Sequence, residues 1–256
     1  MNSLEMKVKD NPVYIREVEN PPEELQLIAV GRNGAVIKYL KNPSKDVQHK
    51  AVKNNPLSIE YIENPDVEVQ ILGVKSLWNS LKVIKNPSEE VIKEAIKVKG
   101  WAIQFVEEPS EELQLMAVKK DYDAIKYVKR PSEKVIMAAI ETYWGAIRFV
   151  DYPPLACKRK AVKLSEEAVN YISYTYDDLK LLIEDNINIV KYVYNDVDAE
   201  LVTEILEKKF SEETVDKKYL IDFLNLEMLE MDKINFIRTN GSKKAKMIMV
   251  DYYLSV

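Results

Sequence analysis

Small, aliphatic and aromatic residues return along this chain with a period of 22 residues. Proline marks the period at Pro21, Pro43, Pro65, Pro87, Pro109, Pro131 and Pro153. With each copy numbered from the residue before its proline, position 10 reads Ala29, Ala51, Gly73, Ala95, Ala117, Ala139, Ala161. Position 11 is always Val or Ile, position 18 always Ile, Leu or Val, and position 20 always Tyr, Phe or Val. Apolar positions 6, 10 and 11 share one face of a helix. The proline and the Ser, Asp or Pro after it sit where a helix begins. Ser44, Ser88, Ser110 and Ser132 are N-cap candidates, and the acids behind them suit the positive helix end. Gly34, Gly100 and Gly145 are expected to mark a turn. Positions 17–22, such as AIKYVK, then predict a second, very short helix or 3₁₀ segment. It stops before the next X–Pro step, because the residue before proline disfavours helix.

Each unit is thus an α-hairpin that cannot bury its apolar face alone, and stacking on the next unit is what buries it. The predicted fold is an all-α solenoid of about eight to nine short helical hairpins with a helical C-terminal cap. Residues 1–19 read as an N-terminal half-repeat cap, 20–173 as seven regular repeats, 174–209 as eroded repeats and 210–256 as the C-terminal cap. Within that cap, Leu220–Ile237 reads as one longer amphipathic helix, Thr239–Ser242 as a turn, and KKAKMIMVDYYLSV as a final helix or strand. The small residue at position 10 lets helices approach to about 8–10 Å between axes.

Composition narrows the chemistry. A chain of 256 residues that is 46% hydrophobic with only six glycines favours a packed helical body. One cysteine, Cys157, and one histidine, His49, exclude an internal disulfide and any multi-Cys or multi-His metal site. No apolar run is long enough for a membrane helix, and the first residues lack an apolar signal core, so a cytoplasmic setting is expected. The net charge of −5 is spread unevenly. Residues 174–232 hold sixteen acids against six lysines, a net of −10, whereas 233–256 hold five basic residues against Asp251, a net of +4. Such a split suggests internal pairing or a partner-facing patch.

The pattern NPSEEV–xxx–A[IV]K–xx–G–xAI–x[FY]–V, complete in Asn86–Val106, resembles the short tandem α-helical repeats of bacterial, phage and large-virus proteins of unknown function. It is similar in layout to leucine-rich-repeat-variant and HEAT-like solenoids. The resemblance covers residues 6–195. It implies architecture and no fixed activity, and members in phages and mobile elements suggest a role in host conflict.

Two sets of side chains are candidates for recognition. Trp78, Tyr122 and Trp144 share position 15, with Trp101 at position 16 and Tyr143 at position 14. Stacked repeats would align them along one edge, where they could anchor a partner or stack bases. The competing expectation is that each ring simply covers the next repeat. The second set is basic. Position 19 gives Lys38, Lys82, Lys126 and Arg148, diluted by Glu60, Gln104 and Asn170, and position 12 gives Lys53, Lys75, Lys97, Lys119 and Lys163. Basic ladders can follow phosphates, but residues 1–151 hold 22 basic and 23 acidic residues, which favours a solvated face. Position 22 alternates as Lys41, Glu63, Lys85, Glu107, Lys129, Asp151, and is expected to pair opposite charges across repeats. Acids at the helix start, paired as Glu89/Glu90 and Glu111/Glu112, recur along the copies and are expected to complement the dipole rather than act as acid and base. His49 reads as a lone surface residue and Cys157 as a small buried hydrophobe.

No phosphate loop, nucleophile elbow or zinc spacing is present, so no catalytic or metal residue and no cofactor is assigned. The expected function is a non-enzymatic protein–protein interaction scaffold. In the sharper form that the resemblance suggests, it is a phage or bacterial protein that binds and inhibits a host defence factor. The expected partner is another protein, bound through Trp78, Trp101, Tyr122, Tyr143, Trp144, Lys82, Lys126 and Arg148. The alternative is nucleic acid held along a basic strip, and a ligand site framed by the acids of 177–232 is the least supported reading.

Overall fold

A computed structural model describes residues 3–255, which form helices and no strand. The outermost residues of the expected caps, 1–2 and 256, lie outside the described residues. The repeat is realised as one ten-residue α-helix at positions 4–13 followed by a six-residue 3₁₀ segment at positions 15–20. The α-helices are α1 (Ser3–Asp10), α2 (Glu23–Arg32), α3 (Lys45–Asn54), α4 (Val67–Ser76), α5 (Glu89–Val98), α6 (Glu111–Lys120), α7 (Glu133–Thr142) and α8 (Leu155–Leu164). They continue as α9 (Tyr176–Asp185), α10 (Val190–Val193), α11 (Ala199–Ser211), α12 (Lys217–Asn225), α13 (Lys233–Asn240) and α14 (Lys243–Ser255).

The chain divides into two compact units, Met1–Val135 and Ile136–Val256. In the first, each α-helix from α1 to α6 packs on the next, and the 3₁₀ segments from Pro12–Glu17 to Tyr122–Tyr127 stack beside them. The core is the set of inward positions that the periodicity marks. Val47, Ala51, Val52, Val91, Ala95, Ala117 and Val118 are fully buried, as are Ile37, Ile103 and Ile125 from the 3₁₀ segments to within 2%. Burying one such aliphatic side chain contributes roughly 1.5–3 kcal/mol, so the stack is held by many equal layers rather than by one centre.

Helix starts follow the expected chemistry. Ser44, Ser110 and Ser132 accept the N–H groups of Val47, Leu113 and Val135, each at 3.4 Å. Ser88 makes no such bond. A second start device was not visible from the caps. Gln26, Gln48, Gln70 and Gln114, all at position 7, donate Nε2 back to the carbonyls of Pro21, Pro43, Pro65 and Pro109 at 2.8–3.0 Å.

Helix ends differ from the expectation. Gly34, Gly100 and Gly145 do not supply a left-handed turn, since no glycine has positive φ among the described residues. The residue at position 14 becomes extended instead (Asn33 at φ −148°), and its N–H closes the helix on the position-10 carbonyl. Gly34 and Gly100 are required by close approach: a Cβ at either would collide with the carbonyl oxygen of Ala51 or Ala117 in the next repeat. The left-handed residue stands at position 1, at Asn20, Asn42, Asn86 and Tyr152 (φ 46–51°). Asparagine tolerates this region far better than other side chains.

In the second unit α8 packs on α9, and α9 on α11. Here the eighth copy starts one residue earlier than expected. Thr175 is its N-cap, with a capping box to Asp178, so the copy begins at Ser173 rather than Tyr174. The helix expected over Leu220–Ile237 is two helices, α12 and α13, separated by residues 226–232. Asp232 caps α13 by accepting from Asn235 N–H at 2.9 Å, while Lys233 donates to the Leu224 and Leu226 carbonyls at the end of α12. These local bonds outcompete a continuous helix. The final segment is helical. Phe210, Phe223 and Phe236 meet at centroid distances of 5.1–6.4 Å, so an aromatic cluster replaces the aliphatic layers at this end.

Candidate interaction surface

In a 3₁₀ segment three residues complete a turn, so positions 17 and 18 point inward and position 19 points out. Position 20 leans along the surface. In the first unit Lys38, Tyr39, Glu60, Tyr61, Lys82 and Lys126 are exposed on this face, with Phe105 and Tyr127 half-buried. In the second unit the same positions place Arg148 and Tyr171 outward.

The tryptophans are edge seals as well as surface groups. Trp78 stacks on Phe105 of the next copy with centroids 5.9 Å apart and planes at 27°. Trp101 meets Tyr127 edge-on at 6.0 Å, and in the second unit Trp144 lies 6.3 Å from Tyr171. All three are half-buried. Tyr143 is exposed and packs 5.5 Å from Trp144, while Tyr122 is half-buried. Each tryptophan is thus in contact with position 20 of the following copy.

Cations lie over this aromatic layer. The Lys38 ammonium sits 5.1 Å from the Tyr39 ring centroid and 5.6 Å from that of Tyr61. Lys126 lies 4.9 Å above Trp101, and Lys99 lies 4.8 Å from the same ring. Arg148 lies 4.8 Å from Tyr171 and donates Nε to the Gly145 carbonyl. Cation–π pairs at exposed sites are worth about 0.5–1 kcal/mol each. They hold long side chains flat on the rings. Lys82 is exposed, and Val83 beside it offers no ring. Tyr39, Tyr61 and Tyr171 belong to this face and were not among the residues expected from the turn; the aromatic recurrence at position 20 was the signal for them.

A tight polar contact on the face is Trp101 Nε1–H to Asp123 Oδ1 at 2.6 Å, with Lys126 on Oδ2 at 3.2 Å. Burial pushes the Asp123 carboxyl up, but the bonds from Trp101 and Lys126 outweigh it and hold it below its ordinary 3.8. A depressed carboxylate stabilises the fold above its unfolded pKa and loses that contribution as pH falls through the folded value. In a chain with Trp78 and Trp144 replaced by Phe, Trp101 fluorescence should stay constant from neutral pH to about 4 and change below it. Asp123→Asn should abolish that acid transition, and a transition that survives the substitution would refute the assignment.

The charged positions behave differently from expectation. Lys41, Glu63, Lys85, Glu107, Lys129 and Asp151 have no ion-pair partner within 4.0 Å among the described residues. Most pairs that join copies in the first unit lie on the α-helices: Lys45–Glu68 and Lys93–Glu112 at 2.7 Å, Lys75–Glu94 at 2.9 Å and Lys134–Glu111 at 3.2 Å, while Lys99–Asp121 at 2.9 Å joins two copies just past their helix ends. Acids at the helix starts thus find lysines on neighbouring helices, whereas position 22 lies at the rim of an inter-repeat groove. Such grooves are open in the first unit. One, of about 340 Å³, is lined by Glu60, Glu63, Gln70 and Lys85, and another, of about 610 Å³, by Glu107, Gln114, Lys129 and Arg130.

His49 is half-buried, and Cys157 is buried at position 6, within a core layer. Among the described residues no group of three or more His, Cys, Asp or Glu side chains is arranged to hold a metal ion, and no helix is long and apolar enough to cross a membrane. No family model, curated protein or solved structure matches this chain.

Proposed function

We propose that this chain is a non-enzymatic protein-interaction scaffold that reads its partner on the 3₁₀ face. The observation that carries the reading is the exposed Lys38–Tyr39–Tyr61 array in the first unit, with Lys82 on the next copy. Tyrosines and cations held flat on a rigid stack lose little entropy on binding and are favoured interface anchors. Nothing in the core depends on these side chains, so they are free to be tuned to one partner. In the form suggested by the family resemblance, the partner is a host factor that a phage or bacterial protein captures and inhibits. The same face is a poor track for a nucleic-acid backbone, because Glu60 and Glu63 interrupt the cations of neighbouring copies.

Affinity purification from a lysate of the source cells tests this directly. The wild-type chain should retain one partner reproducibly. A Lys38→Glu/Tyr61→Ala/Lys82→Glu variant should lose it while keeping the wild-type thermal transition. If the variant retains the same partner, or the wild type retains none, the 3₁₀ face is not the reading surface.

A further inference from the structure

The second unit leaves two complementary features uncovered. The first is one face of α14. Its inward residues Ala245, Ile248 and Met249 are buried, and the helix packs on α12 and α13. Met247, Val250 and Leu254, at i, i+3 and i+7, form a separate stripe that is 57%, 50% and 82% exposed. A continuous apolar stripe of this kind on a helix marks a surface that expects a partner. Lys243, Lys244 and Lys246 stand in the first turns of the helix and have no ion-pair partner within 4.0 Å among the described residues.

The second feature is a cleft of about 370 Å³ between α11 and residues 226–232. Val197, Val202, Leu206, Met228, Leu229 and Met231 form its apolar walls. Asp198 and Glu230 supply its polar edge. Asp198 is occupied as the α11 cap and as acceptor for the Tyr176 hydroxyl, whereas Glu230 is exposed. No residue of α14 lines the cleft, so the two features do not meet within one molecule.

We propose that the Met247–Val250–Leu254 stripe of one molecule docks into the α11/226–232 cleft of a second copy of the chain. The helix carries apolar side chains at the spacing that a groove reads, with methionines on the receiving wall that adapt to them. Charge selects the same pairing. The cleft belongs to the segment of net −10 and the stripe to the segment of net +4, so copies of α14 repel one another while α14 and the cleft attract. A two-fold axis would repeat the contact reciprocally and double the buried area, which closes the assembly at a dimer.

Sedimentation velocity on the full chain across the micromolar range tests the pairing. The wild type should be a dimer that weakens with added salt. Met247→Glu and Val250→Glu on the stripe, and Leu229→Glu in the cleft, should each yield monomer with an unchanged circular-dichroism spectrum. Lys246→Glu and Glu230→Lys should each weaken the dimer about tenfold, and the double reversal should restore it. A monomeric wild type overturns the proposal, including one that pellets with anionic vesicles. A dimer that the stripe variants break but Leu229→Glu and Glu230→Lys do not overturns it as well, because the stripe then packs elsewhere.

Discussion

Replacing Ala117 by Leu is expected to cost the first unit about 3 kcal/mol or more and to lower its thermal midpoint by roughly 6–12 °C. Ala117 is fully buried at position 10 of α6. Its carbonyl oxygen faces Gly100 of the preceding copy so closely that even a Cβ there would collide. Leucine adds a branched chain at this fully buried position, on a helix whose backbone already lies in close contact with the preceding copy. α6 is packed against α5 and against the 3₁₀ segment Gly100–Phe105, and moving it would open the layers on both sides. Leu115 is two residues away on the same helix and half-buried, so Leu115→Ala should cost much less. Circular dichroism at 222 nm during heating or urea titration measures both. If Ala117→Leu melts within about 2 °C of wild type, the small residue at position 10 is not what sets the helix spacing.

Asp185→Ala is expected to destabilise the second unit by about 2–3 kcal/mol. The Asp185 side chain is 5% exposed at the last residue of α9, where the helix dipole disfavours an anion. It is held by Arg159 through two bonds of 2.5 and 2.9 Å and by Lys163 at 3.1 Å, both from α8. The cations are 36% and 53% exposed, so once the carboxylate is removed they recover much of their hydration, and the loss falls below that of a fully buried pair. A double-mutant cycle of Asp185→Ala with Arg159→Ala should show a coupling of at least about 1 kcal/mol in urea unfolding. Additive effects would mean that the fork between α8 and α9 contributes nothing beyond its separate side chains. The same exposure explains why the Lys45–Glu68 pair should matter less, since both side chains are more than half exposed.

Much of this fold is legible in the sequence because burial imposes a strict period. A residue at position 10 or 18 meets the same neighbours in every copy, so its size is constrained identically each time, and the pattern survives as Ala and Ile. The failures have local causes. The glycines were read through backbone torsion, whereas Gly34 and Gly100 answer to a neighbour's carbonyl, and that neighbour is a whole repeat away. Gln70 and its equivalents bond a carbonyl five residues back, a link that no apolar pattern carries. The hydrophobic run through Leu226, Met228 and Leu229 is compatible with one helix. Only the competition from Asp232 and Lys233 breaks it. The tryptophans were visible as a recurrent edge, yet their partners at position 20 lie 26 or 27 residues onward and emerge only once the copies are stacked. Position 22 alternates in sign as though for pairing, but side chains at a groove rim reach water more readily than each other.

The asparagine at the start of a copy has a chemical consequence as well. Asparagine ordinarily degrades when the backbone nitrogen of the following residue attacks its side-chain amide and closes a succinimide ring. Asn20, Asn42, Asn64 and Asn86 are exposed at position 1, and each is followed by proline, as are Asn11 and Asn55 at the entry to 3₁₀ segments. Proline has no backbone N–H to give up, so the ring cannot form by that route. A motif kept for its backbone geometry thereby places these exposed amides where they age slowly, and the isoaspartate that would insert an extra methylene into the chain, and break the 22-residue spacing, is blocked at each of these junctions.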